Sequence, residues 1–136
     1  MQTYNEIIKE ILIKEPTLNG SGVNGKVPYE KDPIAEHEFL LCLEFLDNKT
    51  VPLKYINRKA GSSYMLKHDV EKYVELAHGH HYISNGAFIA ALLYRGIKIR
   101  KYKKDDYQNV HAAIKLKKEK KVNETISLDS TGLYFR

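Results

Sequence analysis

The 136-residue chain has no tryptophan, one cysteine, four prolines and no long apolar run. Each shortage excludes something. A lone cysteine forms no intrachain disulfide, and Cys42, inside Phe39-Leu40-Leu41-Cys42-Leu43, reads as a small buried apolar residue. No run approaches the roughly 18 apolar residues that span a bilayer. The start, Met1-Gln2-Thr3-Tyr4-Asn5-Glu6, lacks the basic and apolar regions of a secretory leader, so a cytoplasmic location is expected. Asn48-Lys49-Thr50 and Asn123-Glu124-Thr125 match the glycosylation triplet but carry no meaning without secretion. The apolar share of 43% and charged share of 29% are those of a globular domain rather than a disordered chain.

What is abundant is positive charge, and it is unevenly placed. Between Arg95 and Lys121 eleven basic residues face three acidic ones, a local balance of +8 against +5 for the whole chain, which leaves −3 for the remainder. The acidic residues gather before Thr50, where Glu6, Glu10, Glu15, Glu30, Asp32, Glu36, Glu38, Glu44 and Asp47 outnumber the lysines.

Periodicity organises the chain. Tyr4 to Lys14 reads as a helix with Tyr4, Ile7, Ile8, Ile11 and Leu12 on one stripe, ended by Pro16. Asn19 to Gly25 has the composition of a flexible linker, which leaves the first helix loosely packed or docked on a partner. Asp32-Pro33 has the cap-and-proline form of a helix start, and a helix from there to Asp47 would bury Ile34, Phe39, Leu40, Leu43 and Leu46. Val51 to Ile56 alternates as a short edge strand. Ser62 or Ser63 caps a helix whose apolar face is Leu66, Val70, Tyr73, Val74 and Ala77, with Lys67, Asp69, Glu71, Lys72 and Glu75 on the wet side. Ser84 starts a further helix that is apolar almost all round and ends at Gly96. Ile97 to Tyr102 alternates apolar and basic. Val110 to Lys117 returns with Val110, Ala112, Ile114 and Leu116 inward, which makes a basic hairpin. A further strand is expected around Ile126 and Leu128, and Leu133-Tyr134-Phe135 forms an apolar tip. The division expected is residues 1–32 as helix and linker, 33–121 as one α+β domain and 122–136 as a tail.

From Pro33 to Lys117 the order helix, short strand, helix, turn, helix, basic hairpin resembles a winged helix, which implies a helical core with a β-hairpin wing. Ser62-Ser63-Tyr64-Met65-Leu66-Lys67-His68, followed by Tyr82-Ile83-Ser84-Asn85-Gly86-Ala87-Phe88-Ile89, resembles uncharacterised small proteins of bacterial phages and plasmids. That resemblance implies an accessory or anti-host role.

The helix in the reading position offers only Asn85, Tyr94 and Arg95 to base edges, and its apolar girth assigns it to the core. The hairpin is the better candidate surface. Lys98, Arg100, Lys101 and Lys103, with Lys115 and Lys117 on the returning strand, would neutralise phosphates, and Tyr102 and Tyr107 near the tip would stack. Such lysines also serve simply to keep a strand edge soluble. His78, His80 and His81, with His68 and His111, lack metal-ligand spacing and a nearby cysteine, so no metal is expected and a histidine capping a helix end is the plain reading. Ser62, Ser63 and Ser84 beside His68-Asp69 lack a nucleophile elbow, and no phosphate-cradling glycine loop is present. The expectation is a non-enzymatic binder of DNA or RNA backbone, without cofactor. The alternative is an inhibitor, of the anti-CRISPR kind, acting on a host nucleic-acid-handling protein through the basic face and the chain's terminal segments.

Overall fold

Helix α4, Asn85–Tyr94, is the axis of the structure, a computed structural model that describes residues 1–102 and 108–118. Its sequence leaves no wet face, and the fold supplies none: every residue from Asn85 to Leu92 is buried. Helices α1 (Tyr4–Lys14), α2 (Glu36–Lys49) and α3 (Ser63–His78) all pack against it. Burial of side chains such as Phe88, Ile89 and Leu92 contributes about 1.5–3 kcal/mol each.

Among the described residues two short antiparallel pairs add the β part of the α+β fold. Strand β2 (Ile99–Lys101) pairs with β3 (Val110–Ala112), and β1 (Thr50–Pro52) pairs with β4 (Ile114–Leu116). The hairpin expected from Ile97 to Lys117 is thus cut short. Ala112, Ala113 and Ile114 are buried in succession, so alternation fails at Ala113. The Ala113 N–H still bonds the Lys98 carbonyl at 2.9 Å, while its own carbonyl accepts from Leu53 at 2.7 Å. Past that point the strand belongs to β1, and Lys115 lies opposite Val51 rather than beside Lys98 and Arg100. Leu116, expected inward, is exposed.

Helix α1 has the bounds its stripe predicts, closed by a Thr3/Glu6 capping box, and buries Ile8 and Ile11. The segment after it does not behave as a linker. Leu18, Asn19 and Val23 are buried, and the backbone is tied in several directions. Asn19 and Gly22 exchange N–H bonds, Gly20 N donates to the Asp32 carbonyl at 2.6 Å, and Val23 N donates to Gln108. Gly86 N donates to the Gly20 carbonyl at 2.9 Å, so the loop sits on the first turn of α4. Glycine is required there: a Cβ on Gly86 would lie 2.0 Å from the Asn19 carbonyl oxygen.

Other boundaries shift for local reasons. Helix α2 starts at Glu36 without a side-chain cap, because the Asp32 carboxylate is taken by the Ser21 N–H and hydroxyl. It buries Phe39, Cys42, Phe45 and Leu46 but leaves Leu40 half exposed. Ser62 caps α3 and Ser84 caps α4, each accepting from the N–H three residues on. Ala77, at the open end of α3, is exposed, whereas Lys67 on the supposed wet side is only 4% exposed. The strand around Ile126 and Leu128 and the tip Leu133-Tyr134-Phe135 lie outside the described residues.

Candidate nucleic-acid interface and adjoining cleft

The pleat of β2 sends Ile99 toward the core and turns Lys98 and Arg100 outward. Register places Arg100 opposite His111 on β3. The Tyr102 ring stacks on His111, centroids 4.9 Å apart and planes 15° from parallel. This face therefore holds two exposed cations and a stacked aromatic pair. Lys98 and Arg100 have no carboxylate partner among the described residues.

The other predicted cations divide. Lys101 points to the opposite face and pairs with the nearly buried Glu15 at 2.9 Å, fastening the hairpin to the end of α1. Lys115 and Lys117 are exposed on and just after β4, where the Lys117 N–H bonds the Lys49 carbonyl. They form a second basic surface beside β1. Lys103 and Tyr107 lie outside the described residues.

The residues that a reading helix would use are engaged elsewhere. Arg95 makes a bidentate contact with Asp47, at 2.8 and 2.7 Å, which joins the end of α4 to α2 and raises the guanidinium further above its ordinary value. Tyr94 packs edge-on against Phe39. Asn85 is buried. Its Nδ2 donates to the carbonyls of Ser21 and Gln108 and to Asn109 Oδ1, while its own Oδ1 has no donor among the described residues.

The histidines disperse rather than converge. His68 meets Glu71 at 2.8 Å, His78 meets Glu44 at 2.9 Å, and His80 lies 3.8 Å from Glu75. Among the described residues no group of three His, Cys, Asp or Glu side chains is placed to hold a metal ion. Gly79 is the cap of α3, and His78 stands in its last turn. The serines have structural partners: Ser63 Oγ accepts from the Val110 N–H at 3.0 Å, and Ser62 and Ser84 are caps. Burial pushes the Cys42 thiol well up, with Glu38 and Glu71 adding to the effect, so it stays protonated and inert.

The periodicity gave no sign of a cleft of about 690 Å³ between α3, the loop before α2 and the start of α4. Asp32, Glu38, Tyr64, Lys67, Tyr82 and Asn85 line it, and Tyr102, Gln108 and Asn109 bring it to the edge of the hairpin. The Lys67 ammonium lies over two rings, its Nζ 4.6 Å from the Tyr82 centroid and 5.2 Å from that of Tyr64. Glu71 approaches the ammonium only to 3.6 Å, and Lys67 makes no hydrogen bond among the described residues. Glu71 is occupied by the Ile83 N–H and by His68. Burial pushes its carboxyl up, but those bonds and the Lys67 charge outweigh it and hold the group below its ordinary range.

Among the described residues no helix is long and apolar enough to cross a membrane. Comparison with protein families, with curated proteins and with solved structures finds no match to this chain.

Proposed function

We propose that the protein is a non-enzymatic nucleic-acid-binding protein, an accessory factor of a mobile element, that grips the phosphate backbone through the outer face of β2. The observation that supports this reading most directly is Lys98 and Arg100, exposed and without carboxylate partners among the described residues, beside the Tyr102–His111 stack. Like charges two residues apart on one strand face repel, and a phosphate strand relieves that repulsion while releasing counterions. Lys115, Lys117 and Lys118 extend the positive field along the neighbouring sheet. Backbone contact of this kind carries little sequence preference.

The test is fluorescence anisotropy with short single- and double-stranded DNA and RNA across a salt series. Binding should weaken linearly in log–log form, with a slope that counts the phosphates neutralised. Lys98→Glu with Arg100→Glu should lower the slope by about two and weaken all sequences alike. An unchanged affinity in that variant would falsify the assignment.

One observation favours a second reading, inhibition of a host nucleic-acid-handling protein. Leu76 is 92% exposed and borders a groove of about 440 Å³ lined by Phe45, Tyr73 and Leu116. Absence of nucleic-acid binding even at low salt would move the assignment to that surface.

A further inference from the structure

We infer that the cleft beside the hairpin holds an unpaired nucleobase of the bound strand, which makes the protein a reader of single-stranded or locally opened nucleic acid. The inference rests on the backbone-gripping role proposed for β2 and assigns a second, separate contact.

Three observations carry it. The first is the spare hydrogen-bonding capacity of Lys67. Lys67 lines the cleft without a hydrogen bond among the described residues, its ammonium lying over the Tyr64 and Tyr82 rings and 3.6 Å from Glu71. An ammonium so placed keeps hydrogen-bond donors to spare for an acceptor that enters the cleft. A ligand whose edge accepts from Lys67 fits this wall.

The second is charge. Asp32 and Glu38 face the same space as Lys67, so the cleft is not electropositive and does not suit a phosphate. A neutral ring with donors and acceptors on its edge suits it, and a nucleobase is such a ring. The amides of Gln108 and Asn109 add donors and acceptors of the kind that read base edges.

The third is continuity. Tyr102 belongs both to the ring stack beside Arg100 and to the cleft wall. A strand whose phosphates lie on Lys98 and Arg100 therefore passes the mouth of the cleft. Tyr64 and Tyr82, half exposed or more, supply aromatic surface there, and stacking on such rings is tolerant of base identity. A volume of about 690 Å³ lies in the range of ligand pockets.

A duplex cannot enter such a cleft without unpairing a base, so single strands should bind more tightly than duplexes of equal length. Tyr82→Ala, at an exposed position, should remove about tenfold of single-strand affinity and leave duplex affinity unchanged. Lys67→Gln should act in the same direction. Adenosine and uridine, which lack phosphate, should shift the amide resonances of Tyr82 and Asn109 in a nuclear magnetic resonance titration of the whole protein. They should do so equally in the Lys98→Glu/Arg100→Glu variant. Equal affinity for single strands and duplexes, together with no effect of Tyr82→Ala and no nucleoside shifts, overturns the base site while leaving the hairpin assignment standing. Nucleoside shifts without strand binding do the opposite. No response to either overturns both.

Discussion

The first turn of α4 and the outer face of β2 are both polar, and they treat polarity in opposite ways. At α4 most groups are answered locally: Ser84 caps, Gly86 N meets Gly20, and the Asn85 amide nitrogen serves three acceptors, although its Oδ1 meets no donor among the described residues. Arg100 on the three-residue β2 and Lys98 just before it face solvent. The first region is polar because the fold needs it to be. The second costs the fold charge repulsion, and its cations meet no carboxylate among the described residues. Stability and binding should therefore separate cleanly between them, and mutation can test the separation.

The largest expected effect is on stability. Alanine normally improves a helix over glycine by about 1 kcal/mol. At Gly86 its Cβ would sit 2.0 Å from a backbone oxygen, and backbone cannot swing aside as a side chain does. Gly86→Ala should destabilise by about 3 kcal/mol, through overpacking and loss of the bond to Gly20. Urea denaturation measures it, and a neutral result would mean that the loop before α2 is not seated on α4.

The reverse pattern is expected on the hairpin. Lys98→Glu with Arg100→Glu should change stability by less than about 0.5 kcal/mol, since neither side chain has a partner among the described residues to lose. The same variant should weaken strand binding about tenfold or more. If it unfolds the protein instead, the face is structural and the contrast with α4 collapses.

Helix periods and caps are local properties, which is why α1, α3 and α4 could be read from spacing, and Ser62 and Ser84 from the position of a serine before an apolar run. Three features could not be read that way. Asn19 to Gly25 has a linker's composition, and composition does not show that its N–H groups and carbonyls pair with Asp32, Gly86 and Gln108. Lys67 sits at a wet position on the helical wheel, but Tyr82, from beyond the end of α3, covers it. The cleft is formed by that same long-range covering, so spacing within one helix carries no trace of it. The switch of strand at Ala113 did leave a signal. Two alanines in succession, Ala112-Ala113, interrupt an otherwise alternating run and mark where the chain leaves one partner for the other.

A smaller effect sharpens the account of α4. Ser84→Ala removes the acceptor for the Ala87 N–H and should cost about 1 kcal/mol. Ser84 also lines the cleft, and its N–H bonds Glu38 at 2.8 Å, a bond that survives the substitution because it belongs to the backbone. Single-strand affinity should therefore change little once the loss of stability is allowed for. A large loss of affinity would place the serine hydroxyl itself on the ligand.

The smallest effect concerns pH and again sets the two regions apart. Glu71 accepts from the Ile83 N–H, which leads into α4, and lies near Lys67 and His68. Burial raises its carboxyl, but those contacts win and place it below the ordinary 4.5. A carboxyl with a lower value folded than unfolded stabilises the fold above its unfolded value. That contribution is lost as pH falls through the folded value. Acidification from pH 6 toward pH 3 should therefore weaken the protein, and Glu71→Gln should flatten this part of the acid limb in thermal melts. The flattening should be partial, because Glu44, lowered mainly by its bond from the Tyr73 hydroxyl and then by His78, and Glu6, lowered by its bonds with Thr3, are shifted in the same direction. No carboxylate is paired with Lys98 or Arg100 among the described residues, so charge reversal there should leave the limb where it was. An acid limb that moves with the hairpin variant rather than with Glu71→Gln would show that the basic face is paired with carboxylates after all, and that its charge serves the fold.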